Sequence, residues 1–348
     1  MYSICFYVIG CGPSEQAPGP KSSTGMPTQE VGLTESIELK FATWVSEISD
    51  VGQLWREWGR RIEEQSEGRV KITNYWSQSL VEMPDGKRAA REGVTDIATL
   101  IINFTEEEPL HEVFTLPFIG IPPVDGPSIY QEITNKFTEF SEEFAGVKTL
   151  GVHFLPPNHF FSVKKEVRLP ADLKGMKVIA GKQFMDLVTV AGGAPMSLPG
   201  PDWYTSLERG LAEGHFTTFP TSNVESCLEL LNYYTMFGET GASTGLVSIV
   251  MNIDTWNSLP ADLQEIFNDA AKWYAEEGTK WDLQEYNRLY EECKEQGKTF
   301  IYLTPEEIAI WKETAKPAHK KWIDTYSNLG PTQEIYDELV RIVKEYSS

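Results

Sequence analysis

Cysteine is scarce in this chain, with four residues at positions 5, 11, 227 and 293 and no C-x-x-C pair among them. That excludes a disulfide-built scaffold and the common zinc modules. The five histidines are scattered, and neither an H-E-x-x-H helix nor a phosphate-cradling glycine loop is present, so no metal and no cofactor is expected. Positive charge is also in short supply. Thirty Lys and Arg stand against 51 Asp and Glu, a net charge of −21. Nucleic acid and anionic membrane surfaces both require basic patches, so neither is an expected partner. Beyond the N-terminus no apolar run approaches the roughly 18 residues that a membrane-spanning helix needs.

What the chain does have is core material. Of its 348 residues 41% are hydrophobic, including 10 Trp, 14 Tyr and 17 Phe. That length exceeds one ordinary core and predicts two domains. The N-terminus is of another kind. An apolar stretch runs into Val8-Ile9-Gly10-Cys11, which resembles a bacterial lipoprotein signal box whose cysteine is lipidated after cleavage. A Pro/Gly/Ser/Thr-rich run to about Thr34 reads as a linker. Residues 1–35 are thus expected to be a signal remnant and flexible linker, with Cys11 as the sole membrane attachment.

Apolar periodicity predicts the rest. Strands are expected at 37–41, 70–76 and 96–102, alternating with helices after Ser49-Asp50 and over 87–92, which makes a first doubly wound unit. A helix over 128–144 and a strand over 147–154 lead to Pro156-Pro157, a first crossing into a second domain. There a strand at 160–163 is followed by the stretch around which the chain is organised, residues 169–214. It reads as strand (176–180), helix (183–191), strand (194–198), a Pro-Gly-Pro turn, and a helix capped by Asp202 that carries Tyr204, Leu207 and Leu211. Such a βαβ unit binds ligands beyond the carboxyl ends of its strands, here near Ile179 and Gly200. A strand over 248–253 returns to the first domain. No proline then interrupts the helical pattern from Asp262 to Gly297. At 1.5 Å per residue that helix is roughly 50 Å long, enough to span both domains. Thr304-Pro305-Glu306-Glu307 forms a capping box for another helix, and Thr332 opens the last.

Several segments carry a family resemblance: Gly68-Arg-Val-Lys-Ile72, Arg91-Glu-Gly-Val-Thr-Asp-Ile-Ala98, Leu116-Pro-Phe118, Leu169-Pro-Ala-Asp-Leu-Lys-Gly-Met-Lys-Val178, Tyr204-Thr-Ser-Leu-Glu-Arg-Gly-Leu-Ala-Glu-Gly214 and Met251-Asn-Ile-Asp-Thr-Trp-Asn-Ser-Leu-Pro260. In this order they resemble the DctP-type solute receptors of tripartite ATP-independent periplasmic (TRAP) transporters. The resemblance implies an α/β, periplasmic-binding-protein-like clamshell: two doubly wound lobes bridged by a long helix, located in the periplasm or at the cell surface. Lobe I is then expected over 36–156 plus 247–285, lobe II over 157–246 plus 286–310, and C-terminal helices packing on the lobes over 311–348. It further implies a small-molecule solute gripped between the lobes and handed to TRAP permease membrane subunits.

The resemblance also implies an Arg directly after the Lys177-Val178 strand, where members bind a substrate carboxylate. This chain has Ile179 there. Where a second cation is frequent it has His159, where an aromatic is frequent Gly200, and where Asn is common Thr217. Trp44, Trp76 and Ile101 end strands of the first lobe, and Phe219 follows Thr217 in the second. Losing one partner of a desolvated charge pair costs ~2–5 kcal/mol. The expected solute is therefore an apolar or aromatic acid or a neutral compound. The alternative is a dicarboxylate or keto acid, with His159 or Lys182 as substitute cation, or Arg168 or Arg209 swinging in while Ile179 packs.

Two other classes remain. Gly241-Ala-Ser-Thr-Gly245 matches the G-x-S-x-G elbow of serine hydrolases, nominally with Asp254 and His319. The elbow requires a helix after the serine, whereas 246–253 reads as a strand, which argues against an enzyme. A receptor used for sensing or scaffolding shares the same lobes, and the sequence does not separate it from a transport receptor.

Overall fold

The structure, a computed structural model, describes residues 36–102 and 107–347. The Cys11 box and the linker lie outside the described residues. In chain order the elements are β1 (Ile37–Ala42), α1 (Asp50–Gln65), β2 (Val70–Tyr75), α2 (Gly86–Arg91), β3 (Ile97–Ile102), α3 (Gly126–Lys136), α4 (Glu139–Glu142) and β4 (Val147–Phe154). They continue with β5 (His159–Ser162), β6 (Lys177–Ile179), α5 (Lys182–Val190), β7 (Ala194–Met196), α6 (Trp203–Glu208), β8 (Gly214–Thr217), α7 (Phe219–Val224), β9 (Tyr233–Met236) and β10 (Leu246–Asn252). Finally come α8 (Ile253–Ser258), α9 (Ala261–Glu295), β11 (Thr299–Tyr302), α10 (Pro305–Thr325) and α11 (Thr332–Tyr346).

The strands form two sheets. One has five strands in the order β2-β1-β3-β10-β4, and the other six in the order β11-β9-β5-β8-β6-β7. β1 runs parallel to β2 and β3, while β10 returns from the other sheet antiparallel to β3 and β4. The βαβ unit β6-α5-β7 is parallel as expected. Each sheet is covered on both faces, which is why β3 reads as an almost unbroken apolar run. Its Ala98, Leu100 and Ile102 face one core, and Ile97 and Ile101 face the other. β6 divides in the same way, Val178 to one side and Ile179 to the other.

Two helices join the halves. The first half of α9 buries Leu263, Phe267 and Tyr274 against the five-stranded sheet, and its second half buries Tyr286, Leu289 and Cys293 against the six-stranded one. α10 does likewise on other faces, with Trp311 and Ala315 in one core and Trp322 in another. The chain itself crosses twice, and the crossing segments are hydrogen-bonded to each other: Asn158 N to Ser243 O at 2.8 Å and Ala242 N to Asn158 O at 2.7 Å. The G-x-S-x-G motif is therefore part of a hinge. Ser243 Oγ donates to Thr115 O at 2.6 Å, and a strand follows it. His319 bonds Pro117 O and Tyr336 OH, so it is committed elsewhere.

Two local expectations fail. Residues 128–144 do not form one helix, because Phe137 takes extended backbone so that its ring and that of Phe140 both reach the core. Asp202 provides no cap: it lies in a tight turn over Gly200–Asp202 with its side chain making no capping bond. α6 ends at Glu208, Gly210 has φ +68°, and Leu211 is exposed.

Gly241 has φ +62°, and a Cβ there would stand 2.5 Å from Asn158 O. Gly241→Ala is therefore expected to break the crossing bridge and cost about 1–3 kcal/mol, read from the urea midpoint. An unchanged midpoint would show that the crossing segments are not held together in this way.

Candidate functional site

Most of the expected site residues lie at or just beyond the carboxyl ends of β1, β2 and β3 in one sheet and of β6, β7 and β8 in the other. On lobe I, Ser77 N bonds Val45 O at 2.8 Å and Gln78 N bonds Thr43 O at 3.0 Å. These bonds hold the Trp44 and Trp76 loops side by side. Trp44 stands edge-on to Trp55 at 4.8 Å, and Trp44, Trp76 and Ile101 are half-buried against the same core.

On lobe II, register places the expected residues together. His159 pairs with Thr217 and Ile179 with His215. Tyr286 reaches in from α9, its hydroxyl 2.9 Å from His159 Nε2 and its ring edge-on to Phe219 at 5.2 Å. Gly200 stands one turn before Trp203, whose Nε1 donates to Leu198 O at 2.8 Å. Thr217 Oγ1 accepts from Ser222 Oγ, and Thr218 Oγ1 caps α7 by accepting from Thr221 N.

Four of the expected roles change. His159 is fully buried and its Nδ1 accepts from Phe237 N at 3.2 Å, so Nε2 carries the proton and donates to Tyr286. Burial lowers its pKa to about 3, which makes it a neutral ring and not a substitute cation. Lys182 is ion-paired with Glu112 and lines a separate cavity of about 220 Å³ between α5, α10 and the 112–116 segment. Arg168 is held in a bidentate pair by Glu307 at 2.7 and 2.8 Å, out of reach of any swing into the site, and Arg209 is exposed. Phe219 is fully buried among Phe161, Tyr234 and Tyr286, so it supports the site from beneath.

Ile179 is 2% exposed and packs with Leu207 and Phe219. Cys227 and Cys293 are free buried thiols in that same core. Among the described residues no group of three or more His, Cys, Asp or Glu suits a metal ion, and no helix is long and apolar enough to cross a membrane. Sequence reasoning missed Tyr286, His215 and Glu225. Tyr286 is separated from His159 by the whole of lobe II, so no local signal connects them.

Two α/β lobes joined by crossing segments and bridging helices make the architecture of a solute-binding receptor of the clamshell class. The family model for bacterial extracellular solute-binding proteins of family 7 (DctP) matches residues 41–325, and the chain belongs to this family. It is a receptor and not an enzyme. A solute-binding protein of Chromohalobacter salexigens is 24% identical over 189 residues, 53% of this chain and 56% of that protein. The C4-dicarboxylate-binding periplasmic protein DctP of Vibrio cholerae is 24% identical over 279 residues, 76% of this chain and 79% of the relative. Among solved structures, a marine-metagenome TRAP solute-binding protein specific for aromatic acid ligands, in complex with 3-hydroxybenzoate, superposes with a TM-score of 0.83. It is 20% identical, and the match covers 90% of this chain and 100% of that one.

Burial also lowers the pKa of His215 to about 3. In the unfolded chain both histidines titrate near 6.5. Above that pH neither state is protonated and stability is complete. As the pH falls towards 3 only the unfolded state takes up protons, so stability is lost. The urea midpoint is expected to fall between about pH 6.5 and 5, above most carboxylate titration, with a shallower slope in His159→Gln. An identical slope in the variant would mean that His159 is protonated in the native state.

Proposed function

We propose that this chain is the extracytoplasmic solute receptor of a TRAP transporter. It grips a small, flat, ring-bearing organic solute between its lobes and delivers it to membrane permease subunits. The observation that carries the solute class is Ile179, an apolar side chain ending β6, with the neutral His159 on β5 across the intervening β8. Nothing in that arrangement offers the cation that a dicarboxylate needs once it leaves water. Trp44 and Trp76 supply flat apolar walls from the other lobe, as small-ligand sites generally require. The aromatic-acid specificity of the marine-metagenome relative supports the same reading. Closure requires a solute that contacts both lobes, because only a difference in affinity between open and closed states shifts the equilibrium.

In this proposal lobe I comprises 36–156 plus 247–285 and lobe II 157–246 plus 286–310, while 311–348 packs on both and Cys11 carries a lipid anchor. The site residues are Trp44, Trp76, Ile101, Ile179, Gly200 and Thr217, with His159 and Phe219 behind them.

The test is titration calorimetry with a ring series (benzoate, benzyl alcohol, benzylamine) against succinate and malate. At least one ring compound is expected to bind about 30-fold or more tighter than either dicarboxylate, the affinity carried by ~2 kcal/mol. A thermal-shift screen reads the same preference, since a ligand at a hundred times its Kd adds ~2.7 kcal/mol. Micromolar succinate or malate binding would overturn the solute class.

A further inference from the structure

Lobe II holds two polar groups that have no hydrogen-bond partner among the described residues. The first is Glu225, just beyond α7. Its carboxylate lies over Gly200: a Cβ at Gly200 would stand 2.5 Å from Glu225 Oε1. Glycine at position 200 thus leaves the room that this carboxylate occupies. The group is half-buried, and among the described residues no ion pair or hydrogen bond engages its oxygens. Burial alone pushes its pKa up from the usual carboxylate value, with no cation acting to lower it.

The second is His215. It is 3% exposed, its Nδ1 has no hydrogen-bond partner, and its ring stands edge-on to Trp203 at 4.5 Å. His215 and Thr217 leave β8 on one face because strand side chains alternate, and His215 is the register neighbour of Ile179. Buried polar groups are nearly always satisfied in folded proteins. An unpaired imidazole against Trp203 and an uncompensated carboxylate over Gly200, three residues earlier, mark the place of an external donor.

We infer that Glu225 and His215 form an end-group subsite that reads a hydrogen-bond donor, a protonated amine or a hydroxyl, on the ring-bearing solute. The inference rests on the reading of the cleft as a ring-solute site and narrows it. A solute carboxylate at this end meets a like charge with no arginine to offset it. An ammonium there gains a charge-assisted hydrogen bond in a partly desolvated setting. The receptor therefore selects by a negative group of its own where a carboxylate receptor selects by a positive one.

Calorimetry at neutral pH with benzylamine, benzyl alcohol and benzoate tests this. The wild-type chain is expected to bind benzylamine at least about tenfold tighter than benzoate, a difference of about 1.4 kcal/mol, with benzyl alcohol between them. Glu225→Gln should weaken benzylamine about tenfold and leave benzoate unchanged or improved. Gly200→Ala keeps the charge but displaces the carboxylate, and should act in the same direction. His215→Phe, which preserves the ring against Trp203, should weaken the two donor ligands and spare benzoate. If benzoate binds tightest and ignores Glu225→Gln, the subsite is overturned while the ring-solute reading stands. Equal losses for all three ligands would reduce Glu225 to a structural role and also overturn it. If no ring compound binds, the ring-solute reading fails and the subsite with it.

Discussion

Everything the two lobes can do depends on how α9 holds the first crossing of the chain between them. On one side of the crossing, His153 is locked to α9 by Tyr274 OH at 2.7 Å and Asp282 Oδ2 at 2.9 Å, and Phe154 N donates to Thr279 Oγ1 at 3.0 Å. On the other side, His159 donates to Tyr286. These bonds are buried, so breaking any of them strands a polar group in a dry interior, at about 1–3 kcal/mol each. The two packed bodies are thereby tied to one helix on both sides of the crossing. The Asn158–Ser243 bridge ties the return crossing to the same place.

That mechanical arrangement decides where solute chemistry takes place. Parallel strands end on one edge of each sheet, where open α/β folds bind their ligands. Side chains just past the strand ends lie outside the cores, while those one or two positions back belong to them. Ile179 and Phe219 sit near this boundary, deep enough to pack and close enough to the edge to set its polarity. His159 illustrates the electrostatic consequence. A histidine at that point in the sequence reads as a candidate cation, yet the hinge surrounds it with Phe237 and Tyr286 and removes its charge.

Much of the architecture was legible in the amino-acid order. β3 announced a strand covered on both faces, the uninterrupted run from Asp262 to Gly297 became a single helix of 35 residues, and Thr304-Pro305-Glu306-Glu307 formed the capping box of α10. Those signals are local, and local periodicity reports them directly. The failures occurred where a distant contact overruled the local pattern. Phe137 left its helix to fill a core, and Asp202 was drawn into a turn before it could cap. The site was only partly visible for the same reason. Strand ends can be counted along the chain, so Trp44, Ile179 and Thr217 could be placed at or just past them. Glu225 meets Gly200, and Tyr286 meets His159, only through folding.

The sequence by itself determined the class of fold, the two-lobe division and the absence of an arginine after Lys177-Val178, because each follows from residue type and spacing along a single stretch. The tertiary structure decided which polar groups are charged, which are paired and which are left open. Lys182 and Arg168 are occupied by Glu112 and Glu307, His159 is neutral, and among the described residues neither the Glu225 carboxylate nor His215 Nδ1 has a hydrogen-bond partner. Charge state and satisfaction depend on burial and on neighbours brought from far along the chain, and a linear order of residues specifies neither until it has folded.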